Sequence, residues 1–332
     1  MMQRQIIVID PGYDSYQYER QLFEENGYTF KVFTGSHHDC EGKIAFASKA
    51  EGILLRWTDV DEEFLSRLPN LKAIVRYGVG YENINLKTTM QHGVRVANVQ
   101  GYANHAVSDH ALALLFSCSR LLPLKQRTLK DDFGNPPAID VVEFSNKTLG
   151  IVGLGRIGGT LCQKAQHLFN RILAVDPYIP AERFEHLGAI QCDFRTLLRE
   201  SDAISIHCNL THETHLLFNR SAFSLMAKRP IVVNTARGPV VDERALLDAL
   251  NQDAVHSVGM DVYSEEPPGE NQEALLSHPR VIATGHYAWY SIRSSEELQK
   301  RAAKNLLALL RGEEVEDELP EKRGYYKVSN QR

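Results

Sequence analysis

Residues 148–158 read TLGIVGLGRIG, and this run constrains the chain more than any other. An apolar strand pattern passes into glycines at 153, 155 and 158 and then into a helix. Each glycine answers a separate physical need. Gly153 permits the tight turn, Gly155 removes the Cβ that would hold the backbone away from a pyrophosphate, and Gly158 lets helix and strand pack closely. The helix N-terminus offers unpaired N–H groups and the positive end of its dipole to a phosphate, which makes Arg156 and Ile157 cofactor-binding candidates. A second apolar strand, ILAVD, ends at Asp176, 18 residues after Gly158. A carboxylate at that point accepts hydrogen bonds from the adenosine ribose hydroxyls and repels a 2′-phosphate, so the pattern favours NAD over NADP.

The rest of the chain alternates in the same manner. Before residue 100, short apolar runs predict strands at 5–10, 29–33, 52–55, 73–76 and 95–97, with helices between them, for example at 16–26 and 62–68. That spacing argues for a parallel α/β sheet. A long helix, about 104–122, is apolar almost all round and is expected to be buried between domains or subunits. The polar stretch 125–144, with Gly134-Asn135-Pro136-Pro137 inside it, reads as an extended arm or loop. From Lys147 a second alternation follows. Its strands are expected at 148–152, 171–175, 203–207, 231–234, 257–261 and 281–284, and its helices at 157–169, 194–200, 244–252 and 294–310. The charge-rich tail from Arg311 is expected on the surface.

Composition narrows the class further. A net charge of -5 gives no reason to expect nucleic acid as a partner. The opening apolar run is a buried strand too short for a signal sequence, and Asp109, His110 and Arg120 interrupt the longest apolar helix, so no membrane span is expected. Five scattered cysteines without a CxxC pair fit a reduced, cytoplasmic setting. The sets His37, His38, Asp39, Cys40 and His207, His212, His215 lack zinc-ligand spacing, so no metal is expected.

Three charged groups recur just past later strands: Arg237 in NTARG, Glu266 in DVYSEEP and His286 in HYAWYS. In an open α/β sheet ligands bind outside the carboxyl ends of the strands, so all three are expected to face one cleft. Together with RYGVGYENIN at 76–85 and HCNLTHETHLLFN at 207–219, these motifs resemble the D-isomer-specific 2-hydroxyacid dehydrogenases. The HYAWYS ending is most similar to the branch containing the C-terminal-binding proteins.

The resemblance implies an NAD-dependent enzyme that interconverts a 2-keto acid and a D-2-hydroxy acid. It implies an α/β fold of two domains: a Rossmann domain, 101–290, inserted in a flavodoxin-like substrate domain made of 1–100 and 291–332. Arg237 would hold the substrate carboxylate and carbonyl oxygen, because a planar guanidinium donates two hydrogen bonds at once. His286 would be the acid/base, and Glu266 would orient its ring and favour its charged form. The backbone of Val79 and Gly80 would bind the substrate carboxylate. Asp261 and Thr235 would meet the nicotinamide amide, and His207 and Thr214 the adenosine and pyrophosphate. Trp289 and Tyr290 stand where many members carry small residues. They would either line a pocket for an apolar substrate side chain or pack at the domain junction. A homodimer is the family's usual assembly. The alternative implied by the HYAWYS branch is an NAD(H)-sensing, corepressor-like scaffold.

Overall fold

The computed structural model describes residues 4–131, 133–137 and 139–320. The chain divides into two compact units. One takes the chain up to Tyr102 and again from Ser291; the other is Ala103–Tyr290.

The first unit runs β1 (Gln5–Val8), α1 (Gln17–Glu25), β2 (Thr29–Val32), α2 (Cys40–Ala47), β3 (Ala50–Leu55), α3 (Glu62–Ser66), β4 (Ala73–Arg76), α4 (Leu86–Gln91) and β5 (Arg95–Ala97). Its strands lie parallel in the order β2-β1-β3-β4-β5, with Gln5 opposite Thr29 and Ile53 opposite Ile74. This is the 2-1-3-4-5 arrangement of flavodoxin-like sheets. β1 and β3 are covered on both faces, which is why IIV and GILL are continuous apolar runs with no polar alternation. Ile7, Ile9, Ile53, Leu55, Phe64 and Ile74 form the core on one side. Helices α2, α3 and α4 each begin on a side chain that accepts a backbone N–H of the first turn, from Asp39, Asp61 and Asn85 respectively.

In the second unit come α5 (Asn104–Ser119), α6 (Leu122–Arg127), β6 (Thr148–Val152), α7 (Arg156–Ala165), β7 (Arg171–Val175), α8 (Ala181–His186), β8 (Ile190–Gln191), α9 (Phe194–Glu200), β9 (Ala203–Ile206), α10 (Arg220–Ser224), β10 (Ile231–Asn234), α11 (Glu243–Asn251), β11 (Ser257–Met260), α12 (Glu273–Leu276) and β12 (Val281–Ala283). The sheet order is β12-β11-β10-β9-β6-β7-β8, all parallel. Counted from β6 this is 3-2-1-4-5-6 with one strand added, the doubly wound Rossmann order. The order reverses between β6 and β9, so the crevice for a dinucleotide opens at the end of β6. α5 packs on α7, β10 and β11. The chain then returns to the first unit as α13 (Ile292–Leu310), which covers β3, β4 and β5, and as β13 (Glu318–Leu319), antiparallel beside β5.

Two expectations need correction. The long helix ends at Ser119: Leu121 takes a left-handed conformation and a new helix, α6, starts at Leu122. Residues 125–127 are therefore helical and do not open an extended arm. Pro123 stands in the first turn of α6, where a missing N–H costs nothing. The acidic tail is not simply solvated either. Asp317, 4% exposed, accepts from Arg301 (2.6 Å) and Asn305 (3.2 Å), and Glu318 pairs through both oxygens with Arg95 (2.8 Å each). A run of acids reads as a solvated face only while its partners, here far away in sequence, stay unseen. Among the described residues no helix is long and apolar enough to cross a membrane.

Candidate active site

Two glycines of the β6–α7 turn, Gly153 and Gly158, are there because side chains do not fit. Gly153 has φ +91°, and a Cβ on it would stand 2.6–2.8 Å from the backbone of His207 and Cys208. A Cβ on Gly158 would stand 2.0 Å from the Gly153 carbonyl oxygen. Gly155 caps α7 without a side chain, so no cap occupies the N–H groups of the first turn, where Arg156 and Ile157 lie. Asp176 follows β7 directly. One of its oxygens accepts from Leu154 N at 2.8 Å and the other from Tyr178 N at 3.0 Å, which ties the end of β7 to the glycine turn. Each oxygen keeps lone-pair capacity for a ribose hydroxyl.

Past β9 and β10 stand further candidates. His207 Nε2 is 2.8 Å from Ser205 Oγ, and burial pushes its imidazole down to about 3, so the ring is neutral at ordinary pH. Thr214 Oγ1 donates to the Asn209 carbonyl (2.6 Å) and accepts from Thr211 N (2.8 Å), fixing the turn after β9. Two buried atoms here have no hydrogen-bond partner, His207 Nδ1 and Thr235 Oγ1. Unpaired buried polar atoms are costly, and a polar ligand would satisfy them. Together with a turn too tight for any Cβ, they fit a dinucleotide.

Arg237 lies just past β10. It is anchored by Asn234, whose side chain donates to the Arg237 carbonyl at 3.0 Å, and by Gly238, where a Cβ would fall 1.9 Å from the Tyr263 backbone. Beyond β11, Glu266 Oε1 accepts from Tyr263 N at 3.0 Å. Its Oε2 lies 2.5 Å from His286 Nδ1. Glu266, rather than its neighbour Glu265, is thus the carboxylate on the histidine. Burial alone would raise the Glu266 carboxyl. The hydrogen bond and charge of His286, the Tyr263 N–H and the nearby Arg237 charge outweigh it and hold the carboxyl below its ordinary value. His286 and Arg237 therefore both act on Glu266, at the carboxyl edge of one sheet. This arrangement can hold a flat anionic substrate on a guanidinium and pass a proton at Nε2 of a ring whose other nitrogen is fixed.

Asp261, expected at the nicotinamide, is 1% exposed, and its carboxylate accepts from Thr284 Oγ1, Tyr287 N and Ala288 N. Its visible work is to hold the loop of His286. Trp289 meets Tyr290 edge to face (5.6 Å), while Tyr287 and Tyr290 are half exposed. Val79 and Gly80 belong to the first unit. There the carbonyls of Gly78 and Val79 are taken by Val99 N (3.0 Å) and Asn98 Nδ2 (2.7 Å), which fixes the loop from its carbonyl side. A cavity of about 570 Å³ at the amino ends of β6, β9, β10 and β11, lined in part by Arg120, Lys147, Asp202 and His256, contains none of these residues. Among the described residues no group of acids, histidines and cysteines is arranged to hold a metal. The sequence reading missed His110, which contacts Thr284, although an ionisable side chain inside an apolar helix was a signal for it.

Residues 112–288, more than half of the chain, match the family model described as "D-isomer specific 2-hydroxyacid dehydrogenase, NAD binding domain". The chain belongs to the D-isomer-specific 2-hydroxyacid dehydrogenase family. A D-3-phosphoglycerate dehydrogenase of Archaeoglobus fulgidus is 37% identical over 265 residues, 80% of this chain and 50% of that protein. A glyoxylate reductase of Thermococcus litoralis is 36% identical over 261 residues, 76% of this chain and 78% of that one. This dehydrogenase-family chain spans about half the length of the D-3-phosphoglycerate dehydrogenases it matches. Among solved structures, a D-lactate dehydrogenase from Aquifex aeolicus, complexed with NAD and lactic acid, superposes with a TM-score of 0.83 at 26% identity, covering 93% of this chain and 96% of its own. As in that family, the second unit is a Rossmann NAD-binding domain and the cofactor is NAD.

Proposed function

We propose that the chain is an NAD-dependent D-2-hydroxyacid dehydrogenase that reduces a small 2-keto acid and reverses that reaction. The observation that carries this reading is the Glu266–His286 contact of 2.5 Å beside Arg237. Bound NADH supplies the hydride for C2. Arg237 holds the substrate carboxylate and steadies the charge that builds on the C2 oxygen. His286 gives that oxygen a proton from Nε2 while Glu266 keeps Nδ1 engaged and the ring oriented. Asp176 takes the ribose hydroxyls and disfavours a 2′-phosphate. Gly153, Gly155, Arg156, Ile157 and Gly158 cradle the pyrophosphate, with His207 and Thr214 beside it and Thr235 and Asp261 toward the nicotinamide. Trp289 borders the substrate side chain.

Five free cysteines support a reduced, cytoplasmic setting. Exposed Phe116, Leu122, Leu129 and Phe133 support a homodimer built through the second unit. The test is NADH oxidation with a panel of 2-keto acids, from glyoxylate and pyruvate to branched, methylthio and aromatic ones. Turnover of at least one is expected. NADH binding without turnover of any would overturn this reading in favour of an NAD(H)-sensing scaffold.

A further inference from the structure

His286 sits in a backbone conformation, φ +53°, that residues other than glycine seldom adopt. Asp261 holds it there. The Asp261 main-chain carbonyl accepts from His286 N at 2.8 Å, and the carboxylate accepts from Tyr287 N at 3.2 Å and Ala288 N at 2.9 Å. Thr284 Oγ1 reaches the same carboxylate at 2.6 Å, and His110 Nε2 stands 2.9 Å from that hydroxyl. A hydroxyl has one proton, and a carboxylate can only accept. Thr284 therefore donates to Asp261 and accepts from the Nε2–H of His110, which fixes the tautomer of that ring. The His110 ring also packs edge-on against Tyr287, with centroids 5.1 Å apart. Tyr263 OH holds the Thr284 carbonyl at 2.6 Å. Every member of this chain lies in the second unit.

We propose that His110 is a positioning residue for His286. By giving its Nε2–H to Thr284, it commits that hydroxyl's only proton to Asp261. Asp261 then holds residues 286–288, and so keeps the His286 ring against Glu266. With no donor at position 110, the Thr284 hydroxyl can turn toward the Met260 carbonyl, 3.4 Å away. The carboxylate then loses its shortest donor, and the strained loop loses part of what holds it. The kinetic consequence rests on the dehydrogenase reading; the structural one does not.

The test uses the full chain with His110→Leu and His110→Gln. Glutamine restores an N–H at similar reach; leucine fills similar space without one. Amide exchange at 286, 287 and 288, read by NMR, is expected to speed up about tenfold in His110→Leu and to return near the wild-type rate in His110→Gln, as for one lost hydrogen bond. With an active keto acid, kcat should fall about tenfold in His110→Leu while KM and NADH affinity stay within about twofold, and His110→Gln should recover it. Thr284→Val against Thr284→Ser asks the same question should the leucine variant fail to fold. Unchanged exchange in both donor-deleted variants, or a glutamine variant no better than leucine, would overturn the proposal. A wild-type chain that binds NADH and reduces nothing would sink the dehydrogenase reading instead, and the exchange rates would still decide His110.

Discussion

At the scale of single residues, the site is governed by what each group's neighbours allow. Glu266 is held ionised because His286 and Arg237 outweigh the burial that would protonate it. Removing the acid in His286→Ala should slow reduction by about 10²–10⁴-fold. Reduction takes up a proton and oxidation releases one, so the wild-type rate of reduction should fade as pH rises and that of oxidation as pH falls. Glu266→Gln removes the carboxylate that holds Nδ1 of His286, and kcat for reduction should fall about tenfold or more while NADH affinity holds. A rate of reduction that climbs steadily through pH 8–10 would remove His286 as the proton donor. Asp176 is tested by selectivity. Asp176→Ser should reduce the preference for NADH over NADPH, compared as kcat/KM, and an unchanged ratio would show that the carboxylate does not set it. The three catalytic candidates were legible through the family likeness of their motifs, and their strand-end positions agreed. His110 was marked only by its place inside an apolar helix, and nothing in sequence links it to Thr284, 174 residues later.

Among the elements, those with the strongest local signal were easiest to read. β4, β5, β6, β7 and β10 stand where their apolar runs are. Short α8, α10 and α12 left no periodic trace long enough to separate helix from loop. What places an element can also be a distant polar group, and Asp10 is the clearest instance. It follows β1, is fully buried, and accepts from the backbone N–H groups of Arg56, Trp57 and Thr58 at 2.8–2.9 Å, from Lys43 Nζ at 2.7 Å and from Thr58 Oγ1 at 2.7 Å. Burial would raise its carboxyl, but the Lys43 ammonium, those N–H groups and the Thr58 hydroxyl bring it from 3.8 to about 2. A carboxyl lowered on folding stabilises above its unfolded value and stops doing so as pH falls through the folded one. Its contribution, roughly 2–3 kcal/mol, is thus complete above about pH 4 and is lost as the pH falls toward 2. Asp10→Asn should be less stable than wild type to urea at neutral pH, and the difference should shrink below pH 4. An equal difference at pH 7 and pH 2.5 would assign the stabilisation to packing and not to charge.

On the scale of the whole molecule, one chain builds two parallel sheets by leaving the first, completing the second and returning. Parallel strands joined through helices are what strand–helix alternation makes readable in advance. The return is less readable, since the closing strand is only two residues long and its acids resemble a solvated tail. Yet Asp317 engages Arg301 and Asn305, and Glu318 engages Arg95, so β13 fastens α13 and β5 to one another. Ending the chain after Gly312 strips both arginines of these partners. Such a chain should lose about 3 kcal/mol of stability in the first unit, the order expected when partly buried ion pairs lose one member. NADH affinity should hold within about twofold, because the residues matching the NAD-binding domain model end at 288. Calorimetry and NADH fluorescence titration on the same sample separate the two effects. If stability does not change, β13 closes nothing; if NADH binding is lost with it, the second unit does not hold its cofactor by itself.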